Sequence, residues 1–154
     1  MDKNFVGFGF GPIQSALVAY EAQCSGNFSS LTIAEVDQGL VDAVRANDST
    51  VHVNIAHADR VDPANLPNLQ LLNPTVEADC PALAQAVRDA DELATAVPSV
   101  DFYEKGIAQT LAANIDATKP RILYACENNN YAARHLNAAI AKFGSIPENF
   151  QILN

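Results

Sequence analysis

The sequence contains no tryptophan, one methionine and only three cysteines in 154 residues. The cysteines are odd in number and widely spaced, and none belongs to a CxxC pair, which argues against a disulfide framework and a cysteine-based zinc site. We therefore expect buried, reduced thiols at Cys24, Cys80 and Cys126. Equally dispersed histidines indicate no metal site, and we expect them at surface or helix-cap positions. They are His52, His57 and His135.

Positive charge is also scarce, because nine Lys and Arg face eighteen Asp and Glu, for a net charge of -9. Such a balance repels a phosphate backbone, which excludes nucleic acid and anionic membrane surfaces as expected partners. No apolar run reaches the roughly 18 residues that a membrane span needs. Glycines and a proline interrupt the apolar N-terminal stretch 5–17, so we read no signal peptide there and expect a cytoplasmic protein.

What the sequence does contain is a regular alternation of short apolar runs with longer segments of helical period. That alternation predicts an α/β fold with a doubly wound, mainly parallel sheet and helices on both faces. Predicted strands are 5–8, 31–36, 91–97, 121–126 and 150–153, and residues 50–74 form two short strands or a strand and a loop. Predicted helices are 13–22, about 40–47, one with Pro81 at its first position, 103–114 and 130–143.

The segment Val6-Gly7-Phe8-Gly9-Phe10-Gly11-Pro12-Ile13 lies where the first strand turns into the first helix. A dinucleotide needs this arrangement: the first glycine makes the tight turn, the second lets the backbone approach the pyrophosphate, and the helix N-terminus offers unpaired N–H groups. Pro12 replaces the third glycine of G-x-G-x-x-G and suits the first helical position. Together with the strand pattern, this loop predicts a Rossmann-type domain that binds NAD.

Glu35 lies at the C-terminal end of the second predicted strand, 24 residues beyond Gly11. A carboxylate there accepts hydrogen bonds from the adenosine ribose hydroxyls and repels a 2′-phosphate, which favours NAD over NADP. Asp37 is the nearby alternative for this role. Either residue can instead be a solvated loop charge or a helix cap.

Two further strand ends are candidates for the site, because ligands of doubly wound sheets bind beyond the carboxyl ends of the strands. Small residues in 95–99 leave room for the cofactor ribose. Polar groups appear abruptly at Glu127 and Asn128 after a buried strand, although both can simply cap the last helix. The cofactor-binding candidates are Gly7, Phe8, Gly9, Phe10, Gly11, Pro12, Glu35, Val36, Ala96, Val97, Pro98, Glu127 and Asn128.

Five segments occur in an order that resembles one family, and the most specific of them is Ala125-Cys126-Glu127-Asn128. The others are the glycine loop, 31–38, Val51-His52-Val53 and Thr95-Ala96-Val97. The chain is similar to the N-terminal domain of mannitol-1-phosphate 5-dehydrogenase and mannitol 2-dehydrogenase, the polyol-specific long-chain dehydrogenases. The resemblance implies an NAD-dependent enzyme that interconverts a polyol, or its phosphate, and a ketose by hydride transfer. It also implies that Asn128 is the catalytic residue here and stabilises the reacting oxygen.

One part of that family's machinery is missing. Its Lys-x4-Asn-x2-His motif, which supplies the base, begins at none of the lysines of this chain. The last predicted strand is followed at once by Asn154, so we expect residues 1–154 to be an NAD-binding domain truncated before a helical catalytic domain. We then expect the chain alone to be inactive and the polyol or sugar phosphate to be contacted through the missing domain. The face on which that domain would dock is left exposed, and the chain can self-associate through it.

Two alternatives remain open. One is a stand-alone NAD-binding or redox-sensing module with no catalysis of its own. The other is a different NAD-dependent dehydrogenase, of the 6-phosphogluconate or opine type, that shares only the fold; the polar pair Glu127-Asn128 weighs against it.

Overall fold

The computed structural model describes residues 3–154 and contains eight strands and five α-helices in that range. The strands are β1 (Lys3–Phe8), β2 (Phe28–Ala34), β3 (Val51–Ala56), β4 (Val61–Leu66), β5 (Leu69–Leu72), β6 (Glu92–Thr95), β7 (Arg121–Ala125) and β8 (Phe150–Leu153). The helices are α1 (Tyr20–Ser25), α2 (Gln38–Ala46), α3 (Cys80–Asp89), α4 (Ile107–Asn114) and α5 (Ala132–Ile140). A π-helical segment (Gln14–Ala19) precedes α1, and a 3₁₀ helix (Val100–Glu104) precedes α4.

Six strands form one parallel sheet in the order β5-β2-β1-β6-β7-β8. The strand order reverses between β1 and β6, which is the switch point at which doubly wound sheets bind their ligands. The predicted α/β fold with a doubly wound parallel sheet is therefore confirmed.

Residues 50–74 resolve into three strands. β3 and β4 pair with each other as a separate antiparallel hairpin, and β5 joins the main sheet beside β2. Pro63 lies inside β4, which a two-stranded ribbon tolerates because each of its strands has an unpaired edge.

Two apolar clusters cover the two faces of the sheet. One joins buried residues of the π-helical segment, α2 and the hairpin, including Ala19, Val44 and Leu66. The other joins α3, the 3₁₀ helix, α4 and α5, including Leu83 and Leu111. The first helix and α4 therefore lie on opposite faces, and the carboxyl end of the sheet is open between them.

The first helical segment differs from the predicted helix 13–22. It is helical from Pro12 through Ser25, it widens to π geometry over Gln14–Ala19, and it ends at Gly26 in the left-handed conformation that terminates helices. The predicted helix 103–114 is likewise split. Its first turn belongs to the 3₁₀ helix, and Gly106 with φ +110° separates that turn from α4.

The expectation of three buried thiols is wrong. Cys24 in α1 and Cys80 at the start of α3 are exposed, and Cys126 is half-buried just beyond β7. Helix periodicity places the first two on outward faces. Within residues 3–154 no helix is long and apolar enough to cross a membrane.

Candidate functional site

A cleft of about 840 Å³ lies at the carboxyl ends of β1, β2, β6 and β7. It is bounded by the glycine loop on one side of the sheet and by the 3₁₀ helix and the start of α4 on the other. Every residue that the sequence predicted for cofactor binding lines this cleft, with the exception of Gly7. Residues that are up to about 120 positions apart along the chain are thus brought together.

Gly9 makes the turn of the glycine loop. Its φ is +82°, and a Cβ at this position would lie 2.8 Å from the backbone oxygen of Ala96 and 3.0 Å from Cγ1 of Val97. Backbone approaches backbone here, so a side chain cannot be fitted by moving a flexible neighbour. Only glycine allows the loop to close over the end of β6.

Gly7 has a packing role inside β1. A Cβ on Gly7 would lie 2.3 Å from Nε2 of Gln14 and 2.6 Å from Cδ1 of Ile33. The tight turn that the sequence assigned to the first glycine is therefore made by Gly9, and Gly7 instead lets the π-helical segment pack closely on the strand.

Gln14 is fully buried, and neither its Oε1 nor its Nε2 has a hydrogen-bond partner among the described residues. The glycine motif gave no signal for this residue, and glutamine side chains are mostly exposed in proteins. The wide π-helical turn carries it inward over Gly7.

The helix N-terminus offers amides to an anion. Ser15 is the first residue whose amide closes a helical turn, onto the carbonyl of Gly11 at 3.0 Å. The amides of Ile13 and Gln14 precede it and have no intrahelical acceptor, while Pro12 contributes no N–H. A Cβ on Gly11 would meet no atom within 4 Å, so this side of the loop is open to the cleft.

Glu35 is attached to the glycine loop. One of its carboxylate oxygens accepts from the Phe10 amide at 2.7 Å and the other from the Asp37 amide at 2.8 Å. The Gly9 amide bonds the carbonyl of Ala34 at 2.8 Å, which fixes the loop against the end of β2. Asp37, the alternative ribose ligand, instead caps α2 by accepting from the Leu40 amide at 3.2 Å.

Glu127 links three elements at the other end of the cleft. Its carboxylate accepts from Oγ1 of Thr95 at 2.9 Å, from the Val97 amide at 3.0 Å, and from the hydroxyl of Tyr103. Burial, reinforced by Glu127, raises the pKa of the Tyr103 phenol well above its ordinary value of 10.0. Glu127 thus ties β6, β7 and the 3₁₀ helix together, and it does not cap α5 as the alternative interpretation allowed.

Asn128 is exposed and lines the cleft next to Glu127. The neighbouring Cys126 also lines the cleft, and burial together with the charge of Glu127 raises the pKa of its thiol. A raised pKa favours the protonated thiol at neutral pH, which disfavours a nucleophilic role for Cys126.

The sequence did not indicate several cleft residues. Phe102 and Lys105 come from the 3₁₀ helix and its end, and Thr110 comes from α4. They follow β6 by several residues and carry no motif, so only the packing of α4 on the sheet reveals them. Within residues 3–154 no group of three or more His, Cys, Asp or Glu side chains is arranged to hold a metal ion.

The chain is similar to a solved structure, the TrkA-N domain of the inner membrane protein ybaL from Escherichia coli. The TM-score is 0.50 and the sequence identity is 16%, and the match covers 99% of this chain and 87% of that chain. The likeness establishes the Rossmann-type fold. No protein-family model matches the chain, and no curated protein sequence matches it.

Proposed function

We propose that this Rossmann-type domain binds NAD(H) in the cleft at the carboxyl end of its sheet. The observation that carries the proposal is the hydrogen bond between Glu35 and the Phe10 amide at 2.7 Å. It holds a ribose-binding carboxylate against the loop whose helix N-terminus receives the pyrophosphate.

The residues of the cleft fit a dinucleotide. Its volume of about 840 Å³ lies within the roughly 300–1,000 Å³ of small-molecule sites. Gly9 and Gly11 leave the loop free of side chains where a pyrophosphate must approach the backbone. Apolar Val36 and Pro74 lie beside Glu35 in the lining and supply a surface for an adenine ring.

Selectivity for NAD over NADP rests on charge. The Glu35 carboxylate would repel a 2′-phosphate, and within the described cleft lining Lys105, on the far wall, is the one Lys or Arg. Calorimetric titration with NADH and NADPH tests this. We expect Glu35→Ala to weaken NADH binding by ~10- to 100-fold, since one or two charge-assisted hydrogen bonds are lost, and to abolish the preference over NADPH.

Glu148→Ala is the matched control, because it removes an exposed carboxylate outside the cleft. Thermal melts of each variant verify that it is folded. Absence of NADH binding by the wild-type chain at millimolar concentration contradicts the proposal.

We further propose that the parent protein is a polyol-type dehydrogenase. The support is the Ala125-Cys126-Glu127-Asn128 segment, which resembles that family and whose Asn128 lines the cleft beside Glu127. Bound NAD(H) would supply the hydride donor or acceptor. Asn128 would donate from its side-chain amide to the reacting oxygen, and the protein would otherwise orient the ligands.

The test of this second step is NMR of the NADH-saturated domain. A hexitol, or its phosphate, should shift the side-chain amide resonances of Asn128. Those of the control Asn130, which is exposed and outside the cleft lining, should stay unchanged. No shift at about 50 mM polyol would contradict the proposed contact between Asn128 and the polyol and leave nucleotide binding intact.

A further inference from the structure

Lys105 is the one cation among the described residues that line the cleft. It lies directly after the 3₁₀ helix and before Gly106, on the wall of the cleft that the 3₁₀ helix and the start of α4 form. Because α4 and the first helix cover opposite faces of the sheet, the ammonium and the free helix amides approach the cleft from two sides.

The partners of Lys105 differ from those of the other lysines. Lys3, Lys119 and Lys142 each form a salt bridge with a carboxylate. Lys105 forms none within residues 3–154, although the chain carries a net charge of -9. Its ammonium instead lies 4.2 Å from the ring centroid of Phe102, another cleft residue.

Each of the two carboxylates of the cleft has hydrogen-bond partners other than Lys105. Glu35 accepts from the Phe10 and Asp37 amides, and Glu127 accepts from Thr95, Val97 and Tyr103. Lys105 is therefore available to a ligand. Contact with an aromatic ring holds the ammonium near one position without neutralising it, which lowers the entropic cost of binding an anion.

A positive charge would also strengthen anion binding at the N-terminus of the first helix. Pro12 removes one of the N–H groups that a helix N-terminus usually offers, and a pyrophosphate carries negative charge into an acidic protein. We propose that Lys105 is the phosphate-binding cation of this cleft. The inference deepens the proposed NAD(H) binding and rests on it.

The phosphate can belong to the dinucleotide itself or to a second, phosphorylated ligand bound beside it. Calorimetric titration of wild type and Lys105→Met with NADH and with ADP-ribose examines the first source. Titration of the NADH-saturated proteins with inorganic phosphate examines the second. Methionine keeps the length of the stem and removes the charge, and Lys142→Met is the matched control for loss of an exposed lysine outside the cleft.

If Lys105 binds the dinucleotide, Lys105→Met weakens both NADH and ADP-ribose by ~5- to 50-fold and flattens the salt dependence of binding, while Lys105→Arg restores most of the affinity. If it binds a separate phosphate, NADH affinity is unchanged and phosphate binding is lost in Lys105→Met. If Lys105→Met binds both NADH and phosphate as tightly as the wild type does, this inference is overturned and the proposed function is not. A wild-type chain that binds no NADH overturns the proposed function instead.

Discussion

The carboxylate of Glu127, just beyond β7, accepts a hydrogen bond from the Val97 amide, just beyond β6, at 3.0 Å. The same carboxylate accepts from Oγ1 of Thr95 at 2.9 Å and from the hydroxyl of Tyr103. All three partners donate to it, and an ionised carboxylate can accept from all three at once. One side chain thereby sets the separation of two neighbouring strand ends and fixes the 3₁₀ helix beside them.

Replacement of Glu127 by glutamine should destabilise the fold. The amide nitrogen cannot accept, so at least one buried donor loses its partner, at a cost of about 1–3 kcal/mol in the free energy of unfolding. Urea denaturation of Glu127→Gln and of the exposed control Glu148→Gln measures the difference. A double-mutant cycle with Tyr103→Phe should show coupling of about 1 kcal/mol, and independent effects of the two substitutions would contradict the hydrogen-bonded arrangement.

Tyr103 makes the stability sensitive to alkaline pH. Because its pKa is raised in the folded protein, the stabilising contribution is fully present below the unfolded value of about 10 and is lost as the pH rises above it. The free energy of unfolding of wild type relative to Tyr103→Phe should therefore fall by about 1.4 kcal/mol per pH unit above pH 10. Denaturation at pH 9 and pH 11 tests this, and a pH-independent difference would count against it.

Gly9→Ala should disrupt the glycine loop. The positive φ costs about 1–2 kcal/mol for an L-residue, and the contact with the Ala96 backbone raises the loss of stability to about 2–4 kcal/mol. NADH binding should be lost with it. Gly144→Ala is the control, since its Cβ would meet Ala112 at an ordinary 3.5 Å; equal melting temperatures for the two variants would be inconsistent with a strained loop.

Gln14→Met should stabilise the domain. The substitution removes two buried polar atoms that lack partners within the described residues and replaces them with an apolar chain of similar shape. We expect the free energy of unfolding to rise by about 1–3 kcal/mol. Gln109→Met on the exposed face of α4 is the matched control, and a loss of stability specific to Gln14→Met would disprove the prediction.

Much of the fold could be predicted because its signals are local. The apolar runs of β1, β2, β6, β7 and β8 are recognisable by length and composition, and each of the first four is followed by a helix with its own period. The doubly wound order then follows from the handedness of βαβ connections. Glycine conformation and strand ends are also local features, which is why Gly9, Glu35 and Glu127 could be selected as site residues before any contact was known.

Other features depend on contacts between distant residues. The pairing of β3 with β4 outside the main sheet and the inward turn of Gln14 have no signature in their neighbouring sequence. Each is decided by which face of an element meets the core, and that requires the rest of the chain.

The order of strands and helices, the glycine loop and the acidic position after β2 follow from residue type and spacing, because these fix local conformation. The folded chain is needed to see that Glu127 accepts hydrogen bonds from the end of β6 and from the 3₁₀ helix, and that Lys105 lies in the same cleft as Gly9. The physical reason is that both depend on how α4 packs against the opposite face of the sheet from the first helix, which no local pattern encodes.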